Sequence, residues 1–137
     1  MSLFEIKPGT PSVEEFLDLR GSVEMGTRSL EGVKRGLGNE LFGALLYLKD
    51  GGELVGMGRV VGDGGTVFHI CDMVVKPEWQ KKGGGMLIMN SLMSYIENQN
   101  VPDAYVNLIA DVDGFYDKWG FEPTEPRAKG MFLKTKE

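Results

Sequence analysis

Between Gln80 and Gly85 the chain reads Gln80-Lys81-Lys82-Gly83-Gly84-Gly85, residues suited to holding an anion. Glycines let the backbone come close to a phosphate, and the two lysines add positive charge beside it. The preceding run Val67–Val75 (VFHICDMVV) is apolar and β-rich, and Met86, Leu87, Met89, Leu92, Met93 and Ile96 then recur at helical spacings. A glycine-rich turn from strand into helix aims bare N–H groups and the positive end of the helix dipole at a ligand. The expected ligand carries phosphate. Two nucleotide-binding patterns fail on spacing. Lys81 and Lys82 stand where a GxGxxG fingerprint needs its leading glycine, and no Gly-Lys-Ser/Thr follows as in a P-loop.

The strand ahead of this turn carries His69, Cys71 and Asp72. Strict alternation places His69 with Cys71 and Met73 on one face and Asp72 with Ile70 and Val74 on the other. Without a bulge, only one of His69 and Asp72 can face a site. Histidine is a side chain suited to the role of general base. Cys71 is the only cysteine, so an internal disulfide and a cysteine-built zinc site are excluded, and no neighbouring base is identifiable to activate it.

These residues need a scaffold, and 137 residues are enough to bury a core. The chain is read as a single domain over 1–137. A composition of 42% hydrophobic and 26% charged residues belongs to a folded globular protein rather than a disordered one. With 15 Lys and Arg against 20 Asp and Glu, the net charge is −5, which lacks the basic field of a nucleic-acid binder. No apolar run approaches the roughly 20 residues of a spanning helix. The opening MSLFEIKPG has no signal-peptide core. A reduced, cytoplasmic protein with no nucleic-acid or membrane partner is expected.

Leu3 to Lys7 alternates as a strand, and Thr10-Pro11-Ser12 opens a helix through about Arg20. A second helix is expected from Ser29 to Leu37. Leu41–Lys49, Glu53–Val61 and Thr66–Val75 read as strands joined by Asp50-Gly51-Gly52 and Asp63-Gly64-Gly65, an antiparallel meander. A helix from Gly84 to about Asn98 follows, then a strand at Asp103–Ala110. A short helix around Gly114–Trp119 and a last strand near Lys129–Thr135 complete the order β-α-α-β-β-β-α-β-α-β. The fold class is α/β (α+β), a mixed, mostly antiparallel sheet of six to seven strands flanked by helices.

With Gln80, Gly83 and Gly85 at its key positions, VVKPEWQKKGGG resembles the acetyl-CoA-binding motif of the GNAT acetyltransferases, Gln/Arg-x-x-Gly-x-Gly/Ala after the fourth strand. Gly114-Phe115-Tyr116-Asp117-Lys118-Trp119-Gly120-Phe121 is similar to the family's Phe-Tyr-x-x-x-Gly-Phe segment. One helix and one strand separate the two, as in the family, and the element order fits nearly the whole chain.

The resemblance implies acetyl-CoA as co-substrate, no metal, and a small-molecule or peptide amine as acceptor, attacked directly in a ternary complex. Met73, Val74 and Val75 would pair with the pantetheine arm, while Gln80, Lys81, Lys82, Gly83, Gly84, Gly85 and Met86 would surround the pyrophosphate. Tyr116 would protonate the leaving thiolate, chemistry open to a phenol; its other reading is packing among Phe115, Trp119 and Phe121. His69 and Asp72 are the candidate bases. Where relatives carry an asparagine ahead of the Phe-Tyr segment, this chain has Asp111 and Asp113, with Asn107 inside the strand. Edge strands in this family often pair into homodimers. Val23–Gly38, the acceptor region by resemblance, names no substrate. A non-catalytic acyl-CoA-binding module on the same fold is the alternative.

Overall fold

The structure, a computed structural model, describes residues 2–136. One sheet is built from β1 (Phe4–Pro8), β2 (Phe42–Leu48), β3 (Leu54–Gly62), β4 (Val67–Val75) and β5 (Tyr105–Leu108), in that spatial order. The first four strands run antiparallel to one another, and β5 lies parallel to β4. Three α-helices accompany them: α1 (Val13–Gly21), α2 (Leu30–Gly36) and α3 (Gly84–Asn98). No helix among the described residues is long and apolar enough to cross a membrane.

The expected meander forms because its turns carry the right residues. Gly51 and Gly52 adopt φ of 83° and 72° between β2 and β3, a region L side chains avoid. Between β3 and β4 the Asp63 carboxylate accepts from the amides of Gly65, Thr66 and Val67 at 2.9, 2.8 and 3.1 Å. At α1, Ser12 Oγ accepts from Glu15 N at 3.1 Å while Ser12 N donates to Glu15 Oε1 at 2.8 Å. Such a capping box fixes the helix start and contributes about 1 kcal/mol.

Two expectations fail. The sheet has five strands rather than six or seven: residues 129–135 form no ladder and lie exposed. β5 spans only four residues and offers a short edge, which the tail passes with Gly130 against Ile109. The helix expected at Gly114–Trp119 is a single 3-10 turn, Tyr116–Trp119. Gly114 and Gly120, at φ 78° and 89°, bracket it and leave no room for an α-helix.

The sheet carries one core on each face. Ile88, Met89, Leu92 and Ile96 of α3 pack on Leu46, Val60, Phe68 and Ile70. Phe16 and Leu19 of α1 and Val33 of α2 pack on Leu45, Met57 and Val74. Close approach of α3 depends on Gly58, where a Cβ would lie 2.7 Å from Ile88 and 2.8 Å from the Met73 sulfur.

Phe68 and Ile70 belong to the α3 core, yet Val74 belongs to the α1 core. The alternation of β4 therefore reverses part-way along. The ladder places Met57 opposite Val74 but Arg59 opposite Cys71, so Asp72 and Met73 together face Gly58. This is a β-bulge, with Asp72 at φ 56°. It changes which side chains share a face, so the strict alternation expected for His69 and Asp72 does not hold.

Candidate active site

The glycine turn is built as its sequence suggests, and each glycine has a separate reason. Gly83 caps α3 at φ 90°, a left-handed conformation. Gly84 lies under the helix, where a Cβ would approach Leu46 Cδ2 to 2.7 Å. Gly85 faces the Phe115 ring, 3.3 Å from where its Cβ would stand. Because α3 begins at Gly84, the amides of Gly84, Gly85 and Met86 have no acceptor within the helix. Lys81 and Lys82 beside them are exposed. Gln80 is exposed, and its Nε2 donates to the Val75 carbonyl at 2.8 Å, bracing the turn against β4.

Upstream of the turn the sheet opens. β4 and β5 pair only from Val67 opposite Tyr105 to Ile70 opposite Leu108. Beyond that they part, leaving a cleft of about 50 Å³ between Cys71–Met73 and Leu108–Ile109, lined also by Met25, Asp111 and Tyr116. A larger hollow of about 580 Å³ lies between α3 and Phe42, but no charged group lines it.

Tyr116 reaches the cleft from the 3-10 turn, which is pinned to α3 where Trp119 Nε1 donates to Asn90 Oδ1 at 2.9 Å. Its ring sits edge-on to Phe115 at 5.1 Å, so it packs in the aromatic cluster and lines the cleft at once. The hydroxyl donates to Asp111 Oδ1 at 3.5 Å, a long bond. Burial pushes the phenol up to about 12, and the neighbouring Asp111 carboxylate adds to the shift. The proton stays on Tyr116 across the physiological range. Burial likewise pushes the Cys71 thiol up to about 12, reinforced by Asp72, which keeps it a poor nucleophile.

Asp72 is buried and fully engaged. Oδ1 accepts from Arg20 Nη1 at 2.6 Å and Oδ2 from Arg59 Nε at 2.9 Å. Arg59 continues to Glu40 at 2.9 Å, and Glu40 accepts from Thr10 Oγ1 at 2.6 Å. Burial raises the Glu40 pKa, but bonds from Thr10, Arg59 and the Gly38 amide outweigh it and hold the carboxyl below its ordinary value. Arg20 also donates to the carbonyls of Met25 and Gly26 at 2.9 and 3.2 Å. One carboxylate thus ties the β4 bulge to α1, to β3 and to the loop that overhangs the cleft. His69 stands one pair further back, half-buried, with Nδ1 2.6 Å from Asn107 Oδ1.

Residues 34–134 match the family model of the acetyltransferase (GNAT) domain. The chain belongs to the GNAT acetyltransferases. A probable acetyltransferase of Staphylococcus aureus superposes with a TM-score of 0.90 at 44% identity, covering 96% of this chain and 99% of that one. A GNAT-family acetyltransferase of Streptococcus pneumoniae does so at 0.78 and 27% identity, covering 98% and 99%. The uncharacterized N-acetyltransferase ycf52 of Pyropia yezoensis is 32% identical over 120 residues, 86% of this chain and 69% of that protein.

Within this GNAT fold, Met73 and Tyr116 line the cleft and the residues of the glycine turn do not; Phe115 stands between them, edge-on to Tyr116 and against Gly85. His69 does not line the cleft, whereas Asp72 does. Sequence reading missed Arg20 and Glu40. Arg20 had a signal: it follows Phe16 by one helical turn, on the apolar side of α1, its guanidinium 5.8 Å from that ring. An arginine on a buried stripe must meet a counter-charge. Glu40 sits in a loop with no periodicity to mark it. Arg59 makes a cross-strand ion pair with Asp72.

Proposed function

We propose that this single domain transfers acetyl from acetyl-CoA to a primary amine of a small molecule or peptide, by direct attack in a ternary complex. The observation that carries the reading is the set of unpaired amides at the start of α3, linked through Phe115 to Tyr116, the protonated phenol of the cleft. The pyrophosphate would rest on the amides from Lys81 to Met86, with Lys81 and Lys82 supplying charge and Gln80 bracing the turn. The pantetheine arm would enter where the β4–β5 ladder stops, adding to Met73, Val74 and Val75 as a further strand.

In this reading the amine nitrogen attacks the thioester carbonyl carbon, and a β4 amide near the bulge stabilises the oxygen as it gains charge. The C–S bond then breaks and the departing thiolate takes the Tyr116 proton. The proton lost by the amine goes to His69 through a water, since His69 stands back from the cleft. Asp72, the other candidate base, has both oxygens taken by arginines and is assigned a positioning role.

Release of free CoA, followed with polyamines, amino acids, aminoglycosides and peptide N-termini as acceptors, tests the proposal. Tyr116→Phe should lower kcat by about 10²- to 10⁴-fold while acetyl-CoA still binds. Binding of acetyl-CoA without turnover by any acceptor would leave a non-catalytic acyl-CoA-binding module.

A further inference from the structure

We propose that Asp111 anchors a second positive charge on the acceptor, so that the amine acetylated belongs to a molecule with a further cationic group. The inference rests on the acetyl transfer proposed above and names the class of its acceptor. Among the residues lining the cleft, only Asp72 and Asp111 are ionised carboxylates, and they differ in what holds them. Asp72 is buried, with each oxygen taken by an arginine. Asp111 belongs to no ion pair among the described residues. Its one side-chain partner is the neutral Tyr116 hydroxyl, at 3.5 Å. Lys118, a cation on the neighbouring 3-10 turn, lies over the Phe115 ring instead, 5.0 Å from its centroid.

A carboxylate without a counter-charge works against the reaction at this place. Once Tyr116 gives its proton to the thiolate, a phenolate stands beside Asp111, two negative charges in contact. The same repulsion helps to hold the phenol pKa up. A cation on Asp111 would offset that charge at the step where it develops. The attacking nitrogen cannot be that cation, because it reacts only as a neutral amine. The charge must come from a group that stays protonated, a second ammonium or a guanidinium on the same molecule. Asp111 and the Tyr116 hydroxyl are neighbours, so a short chain is enough to join the two nitrogens. Met25, Leu108 and Ile109 beside them offer apolar contact to its methylenes.

Release of free CoA by the full chain, with putrescine and with n-butylamine (the same chain carrying one amine), tests the assignment. Putrescine should show a kcat/KM about tenfold higher, the effect of one charge-assisted hydrogen bond. Asp111→Asn should reduce that ratio to the statistical advantage of having two equivalent amines. Asp111 is exposed in a loop, so the substitution spares both cores. Asp113→Asn should keep the ratio, because the Asp113 carboxylate does not line the cleft. A preference that survives Asp111→Asn would overturn the inference and leave acetyl transfer standing. So would a putrescine kcat/KM no greater than that of n-butylamine, including turnover of neither while other amines react. Turnover of no amine at all would remove the acetyl transfer itself, and this inference with it.

Discussion

Two walls of the molecule near β4 are built from different materials: the glycine turn at the start of α3, and the charged network at the β4 bulge, of which Asp72 lines the cleft. On the α3 side it is backbone: a left-handed glycine, unpaired amides, and two glycines where a Cβ would collide with Leu46 or crowd Phe115. On the α1 side it is side-chain charge, a buried chain running Arg20–Asp72–Arg59–Glu40. A backbone surface is specified locally, by the few residues that form it. A charge network is specified by partners far apart in sequence and is only as stable as its least satisfied member. The first can accept one fixed ligand group by shape. The second holds a strand out of register and a loop over the opening.

Asp72→Ala should separate the walls most sharply. It leaves Arg20 and Arg59 buried without their shared counter-ion, and breaking such a contact costs about 3–5 kcal/mol. Urea unfolding should show a loss of that order. Asp72→Asn keeps the shape and should lose less. A loss under 1 kcal/mol for the alanine variant would mean that the network relaxes into water and does not hold the bulge.

The corresponding disruption on the other wall is Gly84→Ala. Alanine suits a helix start, so propensity predicts no harm. Its Cβ would nevertheless stand 2.7 Å from Leu46 Cδ2, and Leu46 is fully buried with little room to yield. Overpacking of this kind costs about 1–3 kcal/mol. A thermal midpoint equal to the wild type would show that α3 can lift away from the sheet.

This division also explains what could be read from the sequence. The meander and the helix after the glycine turn were legible because turn glycines and apolar periodicity are local signals; the Tyr116 segment was legible only through its resemblance to the family motif. The bulge was not. Asp72 is a non-glycine residue at φ 56°, held there by Arg20 across 52 positions of sequence. Periodicity in VFHICDMVV carries no trace of that partner, so strict alternation misassigned the faces from Asp72 onward. The missing last strand has a related cause. Lys129–Thr135 has the composition of a strand, but pairing requires an edge, and composition carries no signal for one.

The charged wall should also respond to acid. Glu40 is held below its ordinary 4.5 in the folded state, so on acidification the unfolded chain takes up this proton first. Its contribution is complete above that ordinary value and is lost as pH falls through the lower folded value. Thermal midpoints measured from neutral pH downward should therefore drop, and Glu40→Gln should flatten the acid limb. Identical acid limbs in both proteins would remove Glu40 from the network's energetics.

Lys81→Ala and Lys82→Ala should have the smallest effects, and their size bears directly on the contrast between the walls. Both side chains are exposed, and an exposed charge near an anion contributes about 0–1 kcal/mol. If unpaired amides do most of the holding, each variant should raise the acetyl-CoA KM only about two- to fivefold, with kcat unchanged. The increment should fade as salt shortens the range of the interaction. A loss of a hundredfold or more that persists at high salt would relocate the donor site from backbone to side chains. The α3 wall would then depend on charge as the α1 wall does.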